Sequence, residues 1–517
     1  MSTIKKLLCC LLALTLCLCA FVGCNGNTND PKDSDTESQD NGNGDTDDSS
    51  DTSGTSQTDD PKTLTGLQDT YDFGGTQEFT ILSRSETSYE FESEAGMSGT
   101  AVEAAIYARN EEVMERCNVE ITVTPAPGNW DSREDFMGLV RNDASLSESD
   151  YDLVATHSVY LMNLAVEGLG WDFSDLPNLD LTKRWWSEAF YEQCNYNGAQ
   201  YIAFGDIAYT LYSYMMVMFF NVQMAENYEL EDDLYDLALD GDWTYAKLEE
   251  YTKKVTTSMD QPFDSREFGF LTNGHSMRAF ITGFNMDWAI EGADGKRSIS
   301  ILIDKSIEAA AQPLVEFSTK VDQVYYSTNG VNGTGDQNAI FSSGKALFYS
   351  QMLGQATYLK GEMKDEYGVL PFPKLTDQQP TYRSGYCDDM TAVLVPFNCR
   401  NEEMSGTVTE MLSEIGWREV TEEYYEETLK YQSFNDPKCV ATLELIRTTF
   451  SPTFTSVYGN NLATVSACLA NLIETNLKNG ATGTIANYYT NYSGNWRSLL
   501  KDLYEDLDAI AAARSAS

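Results

Sequence analysis

The sequence predicts an α/β protein built of at least two lobes, and two observations indicate it. A strand at Phe79–Leu82, an amphipathic helix that begins near Thr100 and an alternating apolar strand from Val119 form a β–α–β unit, the pattern of a parallel sheet. The chain has 517 residues. Even without the first 62, it exceeds the ~250–300 residues at which a single hydrophobic core stops growing.

Local patterns predict the elements that follow. A helix is expected at Asp135–Arg141. Another begins after Thr244, because Trp243 and Leu248 flank this N-cap as a hydrophobic staple, which gives Trp243 a structural role. Gly368–Pro373 can form only an edge strand, since proline cannot donate to the ladder. Further strands are expected at Tyr151–Ala155, Ala346–Tyr349 and Thr391–Val395, and acidic amphipathic helices fill most of the remainder.

The stretch Asn197–Asn221 contains two apolar runs separated by Gly205 and Asp206. The second run is rich in methionine and aromatic residues, but it is too short to cross a bilayer, which needs about 20 apolar residues. We therefore place it in a core and interpret the stretch as a crossing from one lobe to the other. Asp206 is then expected near the cleft between the lobes.

The N-terminus predicts export and lipid anchoring. Two lysines and an apolar stretch make residues 1–23 a signal peptide. The sequence Phe21-Val22-Gly23-Cys24 resembles a bacterial lipobox, with Phe21 where leucine is usual, so Cys24 is the expected lipidation site. Residues 24–62 are acidic and almost free of apolar side chains, which predicts a disordered linker. An uncleaved membrane helix is the alternative, which the shortness of the apolar stretch disfavours.

Composition excludes several function classes. There are 34 basic and 80 acidic residues, a net charge of −46, which repels nucleic acid. The two histidines are not paired as HExxH, and no glycine-rich phosphate signature occurs. We therefore expect no catalytic residue, no metal and no cofactor. The six cysteines beyond the N-terminal segment lack metal-ligand spacing and are expected as free thiols, with a Cys387–Cys399 bridge as the alternative.

Aromatic residues make up 12% of the chain, and their rings can stack on the apolar faces of sugars while polar groups bond the hydroxyls. Arg84 and His157 follow predicted strands, where open α/β sheets bind ligands. The expected ligand-binding residues are Arg84, His157, Trp186, Asp206, Trp288, Tyr382 and Tyr386.

Several segments, spread in order along the chain, carry a family resemblance. They are Ala105–Asn110, Asp180–Trp186, Asn197–Tyr201, Gly241–Thr244, Phe341–Phe348 and Tyr367–Lys374. Together with the lipobox, they resemble the extracellular solute-binding lipoproteins of bacterial ABC importers, family 1, carbohydrate type.

The resemblance implies a two-lobed periplasmic-binding-protein-like fold of class II type with hinge crossings. Lobe 1 would combine residues 65–208 with 374–430, and lobe 2 would combine 209–373 with 431–517. It also implies a monomer without enzymatic activity, anchored by lipid on the extracellular face of the membrane. Such a protein would capture a sugar or oligosaccharide in the inter-lobe cleft and deliver it to membrane permease subunits.

Two alternatives stay open from the sequence. The same fold could take a peptide, an amino acid or a polyamine, since the acidic surface suits a cationic ligand. A surface enzyme that cleaves polysaccharide is the other, because abundant carboxylates leave paired acid groups possible.

Overall fold

The computed structural model describes residues 66–75, 77–230, 232–293, 295–299, 305–327, 336–434, 436–463 and 465–516. The predicted signal peptide, Cys24 and the linker at 24–62 lie outside these residues. In the described part of the chain, no helix combines the length and apolar character needed to span a membrane.

The strands, in chain order, are β1 (Glu78–Arg84), β2 (Glu120–Ala126), β3 (Leu153–His157), β4 (Met216–Asn221), β5 (Phe268–Asn273), β6 (Ala289–Glu291), β7 (Arg297–Ile299), β8 (Val324–Ser327), β9 (Ala346–Met352), β10 (Tyr367–Leu370) and β11 (Thr391–Leu394). The α-helices are α1 (Ala101–Cys117), α2 (Arg133–Asp143), α3 (Ser158–Val166), α4 (Glu188–Cys194), α5 (Thr210–Ser213), α6 (Val222–Asn227), α7 (Leu234–Leu239), α8 (Tyr245–Lys254), α9 (Gly274–Gly283), α10 (Lys305–Ser318), α11 (Gln337–Ser342), α12 (Gln355–Glu362), α13 (Glu402–Ile415), α14 (Pro437–Thr448), α15 (Phe454–Val457), α16 (Cys468–Asn479) and α17 (Ile485–Ala516), and a π-helix spans Gly416–Ser433.

The first sheet has the order β11-β3-β1-β2, with β1 parallel to both β2 and β3 and β11 antiparallel. The predicted β–α–β unit is therefore confirmed. Its helix α1 begins with a capping box between Thr100 and Glu103 and buries Ile106, Val113 and Cys117 as expected. The carboxyl ends of the three parallel strands lie along one edge, where a ligand can be reached.

The second sheet has the order β10-β4-β9-β5-β8. The methionine-rich run forms β4, whose residues are all buried, and β10 takes the edge position predicted from its prolines. The first apolar run of the stretch Asn197–Asn221 predicts a strand, but residues 197–204 do not form one. Their ladder contact with the first sheet is limited to a bridge between Ala203 and Val393.

The segment that joins the sheets is held at close range on two sides. A Cβ atom on Gly205 would meet the carbonyl oxygen of Trp185, and one on Gly416 would meet that of Asp206. Glycine is required at both positions because the backbones leave no room for a side chain. The start of the π-helix thereby packs directly against the crossing.

The cysteines of the described residues are all free, and five of the six are buried. The alternative of a Cys387–Cys399 bridge is therefore wrong. The thiol of Cys387 instead contacts a histidine, since its Sγ lies 3.3 Å from Nδ1 of His275.

Two adjacent tryptophans converge on one buried carboxylate. The indole N–H groups of Trp185 and Trp186 donate to the two oxygens of Glu410 at 3.0 and 2.8 Å. Glu410 is fully buried, and burial raises its pKa from 4.5 to about 7 against the opposing effect of these hydrogen bonds. A raised carboxyl pKa means that the folded state binds a proton that the unfolded state has released.

We predict that Glu410→Gln gains stability relative to the native chain as the pH rises from 5 to 7. Native stability contributed by Glu410 is lost through this window, by at most about 3 kcal/mol, whereas glutamine does not titrate. Urea unfolding of both chains at the two pH values measures the difference. The exposed Glu403→Gln on the same helix is the control. If the difference in unfolding free energy between the Glu410→Gln and native chains were the same at pH 5 and pH 7, the raised pKa of Glu410 would be contradicted.

Candidate functional site

A cavity of about 510 Å³ lies where elements of the two sheets meet, within the range of ~300–1,000 Å³ typical of ligand pockets. Its walls come from four parts of the chain. They are the residues after β1 and at the start of α1, the crossing around α5, the residues at and after the end of β9, and the π-helix. We call it the tyrosine cavity. It is lined by Tyr89, Thr100, Ala101, Val102, Tyr209, Ser213, Tyr214, Met352, Gly354, Gln355, Thr357, Tyr424 and Thr428.

The side chains that line the tyrosine cavity are all uncharged, although 22% of the residues in the chain are charged. The lining combines aromatic rings with hydroxyl groups and one amide. Tyr89 is partly open to solvent, with 41% of its accessible surface exposed. Such a surface suits a neutral ligand that offers both apolar faces and hydrogen-bonding groups.

Three of the tyrosines form a continuous aromatic wall. The ring of Tyr209 lies 5.8 Å from that of Tyr89 and 4.6 Å from that of Tyr424, each tilted by 38°. Burial raises the pKa of all three phenols. It also raises the pKa of Tyr214 to about 12, against the lowering effect of Arg84. The hydroxyls therefore stay protonated and serve as both donors and acceptors.

Glu90, which follows Tyr89, fixes the wall of the cavity. Its carboxylate accepts from the backbone N–H of Thr210 at 2.7 Å and from the hydroxyl of Thr391 at 2.5 Å. Arg109 donates to the carbonyl oxygens of Glu90 and Ile207 at 2.8 and 3.0 Å. Burial raises the pKa of Glu90, and the hydrogen bonds from Thr391 and Thr210 oppose the rise. The network ties the turn after β1 to the crossing and to β11.

Arg84 and His157, both predicted site residues, lie together at the carboxyl edge of the first sheet. A guanidinium nitrogen of Arg84 lies 2.5 Å from Nε2 of His157, and Nδ1 of His157 lies 3.2 Å from the carboxylate of Asp389. Because arginine has only donors, Nε2 of His157 must accept. Its proton is therefore on Nδ1, facing Asp389.

A second polar cluster approaches from the other sheet. His275 and Arg278 lie on α9, which follows β5, and both contact Asp388. Burial would raise the pKa of Asp388, but the charges of Arg278 and His275 hold it well below its usual range. The preceding residue, Cys387, donates its N–H to the carbonyl of Tyr214 at 2.9 Å. This backbone contact connects the polar clusters with the tyrosine cavity.

Comparisons with known proteins bear on this arrangement. No protein-family model matches the chain, and no curated protein matches it. Solved structures do. An ABC substrate-binding protein from Listeria monocytogenes in complex with cycloalternan matches with a TM-score of 0.55 and 10% identity, over 82% of this chain and 99% of that one. The chain has the fold of an ABC solute-binding protein.

Two further structures with this solute-binding fold bind different ligands. An ABC transporter solute-binding protein from Thermotoga lettingae, bound with alpha-D-tagatose, has a TM-score of 0.53 at 12% identity over 82% of this chain and 100% of that one. UgpB from Mycobacterium tuberculosis, in complex with glycerophosphocholine, has a TM-score of 0.54 at 12% identity, over 84% of this chain and 98% of that one. At these identities the likeness is one of fold, so the ligand must be argued from the site.

Three of the predicted ligand residues lie in the core of the solute-binding fold and do not line the cavity. Trp186 is bound to Glu410, and Trp288 is 1% exposed. Tyr382 accepts the backbone N–H of Trp243 through its hydroxyl oxygen at 3.1 Å. Each ring is held by its neighbours in the core, so its apolar face is not available for stacking on a ligand in this structure.

Asp206 and Tyr386 are also buried. The carboxylate of Asp206 accepts from Thr421 at 2.6 Å and from Tyr212 at 2.8 Å, and burial raises its pKa to about 6 against these bonds. The ring of Tyr386 packs edge-on against Phe190 at 5.0 Å. Asp206 therefore anchors the crossing from within, a few residues before the chain reaches the cavity.

The tyrosines of the cavity were missed in the sequence. Tyr209 and Tyr214 lie within the crossing itself. The run around them is rich in aromatic residues that are buried, so the sequence does not indicate which two face the cavity. Trp130 follows β2 at the carboxyl edge of the first sheet and is 52% exposed, but it does not line the tyrosine cavity.

We predict the Nδ1–H tautomer for His157. In a His275→Ala chain, His157 is the sole histidine, so its imidazole ¹⁵N signals are read without ambiguity. Nε2 should be unprotonated in that chain, because Arg84 can only donate to it. Adding Arg84→Met should leave the proton on Nδ1, which faces Asp389, but should no longer exclude a proton from Nε2. A proton on Nε2 with Arg84 intact would contradict the geometry.

Proposed function

We propose that the protein binds a neutral sugar or oligosaccharide in the tyrosine cavity, as the solute-binding component of an ABC importer. The observation that carries the proposal is the uncharged, tyrosine-rich lining of this cavity in a chain of net charge −46. Excluding every charge from the walls favours a ligand without charge, since a charged ligand would lose its hydration without gaining a counter-ion.

The lining also has the two kinds of surface that a sugar requires. The rings of Tyr89, Tyr209 and Tyr424 offer apolar faces for its C–H groups. Neutral phenol hydroxyls, together with Ser213 and Gln355, offer donors and acceptors for its hydroxyls. The solved structures with this fold that bind cycloalternan and tagatose support the same class of ligand.

The alternatives fit the cavity less well. A polyamine or amino acid needs a carboxylate or a cationic partner, and the described lining contains neither. Hydrolysis of a glycoside by the usual route needs two carboxyl groups about 5–9.5 Å apart across the bond, and no acidic residue is among the described residues of the lining. These observations favour binding without turnover.

The finer architecture is part of the proposal. Residues 65–208 with 374–430, and 209–373 with 431–517, are proposed as two lobes that close on the ligand by a hinge motion. The first sheet falls in the former set and the second in the latter. The closed form of the monomer would be the one that permease subunits in the membrane recognise.

A lipid on Cys24 is proposed to hold the protein on the outer face of the cell membrane. Two acyl chains are needed for stable anchoring, because a single chain binds only marginally. We expect Cys24→Ser to move the protein from the membrane fraction to the soluble fraction of cells. Equal membrane retention of both chains would contradict the lipid anchor.

The ligand class is tested by thermal unfolding with a panel of neutral mono- and oligosaccharides, amino acids, polyamines and peptides. A ligand that binds only the folded state raises the unfolding temperature. We expect shifts with at least one sugar and none with the charged solutes. A shift with a polyamine alone would favour that alternative, and turnover of a glycoside would favour the enzyme.

Two exposed tyrosines provide a matched pair of variants. Tyr89 lines the cavity and is 41% exposed, whereas Tyr191 lies outside the lining and is 37% exposed. Tyr89→Ala should weaken sugar binding roughly 2- to 10-fold through the loss of about 0.5–1.5 kcal/mol of ring contact, and Tyr191→Ala should not. Calorimetric titration measures both. If the Tyr89→Ala and Tyr191→Ala chains bound the sugar with equal affinity, the assignment of the binding site to the tyrosine cavity would be wrong.

A further inference from the structure

A second group of side chains, apart from the tyrosine cavity, has the composition of a metal site. His275 lies in the first turn of α9, and Cys387 and Asp388 lie in the segment that leads to β11. Nδ1 of His275, Sγ of Cys387 and a carboxylate oxygen of Asp388 all lie within 4.8 Å of one another. Imidazole, thiolate and carboxylate together form a donor set typical of zinc.

The two donor separations that involve His275 fit one ion. Nδ1 of His275 lies 3.3 Å from Sγ of Cys387 and 3.5 Å from Oδ1 of Asp388. Zinc bonds nitrogen and oxygen at ~2.0–2.2 Å and sulfur at ~2.3 Å, so the edges of a tetrahedral site measure roughly 3.3–3.6 Å. Both separations agree with these edges.

Burial and bonding of the ligands also agree. Among the described residues, Oδ1 of Asp388 is buried without a hydrogen bond of good geometry, which is costly for a carboxylate oxygen. The other oxygen of Asp388 pairs with Arg278, as second-shell partners do for ligating carboxylates. Cys387 is 2% exposed, while the side chain of His275 is 47% exposed. An ion could therefore enter from the side of His275.

We propose that His275, Cys387 and Asp388 form a three-ligand site for Zn²⁺, with the fourth position open to solvent. Binding releases the thiol proton of Cys387 and the Nδ1 proton of the charged His275 imidazole, and the zinc–thiolate and zinc–imidazole bonds form in their place. The ion would connect α9, which follows a strand of the second sheet, to the segment that precedes the last strand of the first. It would thereby stabilise the junction beside Tyr214. The proposal does not depend on which solute the cavity binds.

The test is a zinc titration of the full chain, reduced and stripped with chelator, against a chromophoric zinc indicator. Excess Ca²⁺ is present throughout, so that the surface carboxylates are occupied by calcium and do not bind zinc. Calcium does not compete for the proposed site, because a site that contains a thiolate discriminates against hard cations. We expect one equivalent of tightly bound zinc. His275→Ala should weaken it at least about 100-fold, more than the loss of an outer-shell partner does. Cys387→Ser should do the same.

Cys439→Ser is the matched control, since Cys439 is also fully buried. This substitution should leave zinc binding unchanged. His275→Ala removes a half-exposed side chain, so its fold should persist, and circular dichroism checks this for each variant. No tight equivalent in the native chain, or equal zinc affinity in all the variants, would overturn the site and leave a hydrogen-bonded cluster only.

Discussion

The buried carboxylate of Glu90 is the interaction on which the arrangement of the site depends. It receives hydrogen bonds from Thr210 on the crossing and Thr391 on β11, and Arg109 binds its backbone. These contacts join three distant parts of the chain at one point. Because Tyr89 and Tyr209 are the immediate neighbours of Glu90 and Thr210, the network also sets the spacing of the aromatic wall.

The electrostatic design of the molecule separates charge from the cavity. The chain carries a large negative excess, which favours solubility. Charged groups near the sheet junction instead have partners of their own: Arg84 donates to His157 and to the backbone carbonyl of Asp389, and Arg278 pairs with the carboxylate of Asp388. The tyrosine cavity lies beside these pairs, and the described residues that line it are neutral. A ligand without charge can therefore enter without competing for any of the ion pairs.

Much of the fold could be predicted from the sequence because its signals are local. The capped helix α1, the alternating strand β2 and the proline-limited edge strand β10 each follow from short-range patterns, and the structure confirms them. Strands β5 and β8 were not predicted, since short apolar runs do not distinguish a buried strand from a buried helix segment. The 18-residue π-helix Gly416–Ser433 has no signal in its acidic sequence.

The site was harder to predict than the fold, for a physical reason. Arg84 and His157 were found because they follow predicted strands, and ligands bind at such ends. Trp186 was proposed as one of two adjacent tryptophans and Trp288 because its neighbours in the sequence are polar, but a large ring gains more from burial in a core than from exposure. Which of 30 tyrosines face a cavity depends on contacts between distant segments, such as that of Tyr209 with Tyr424.

The most direct test of the central claim, a charge-free ligand cavity at the junction of the sheets, is calorimetric titration with the best-binding solute at low and at high ionic strength. A neutral sugar in an uncharged cavity should bind once per chain, with the same affinity in both conditions. Binding that weakens strongly with salt would show that charges hold the solute and would contradict the account.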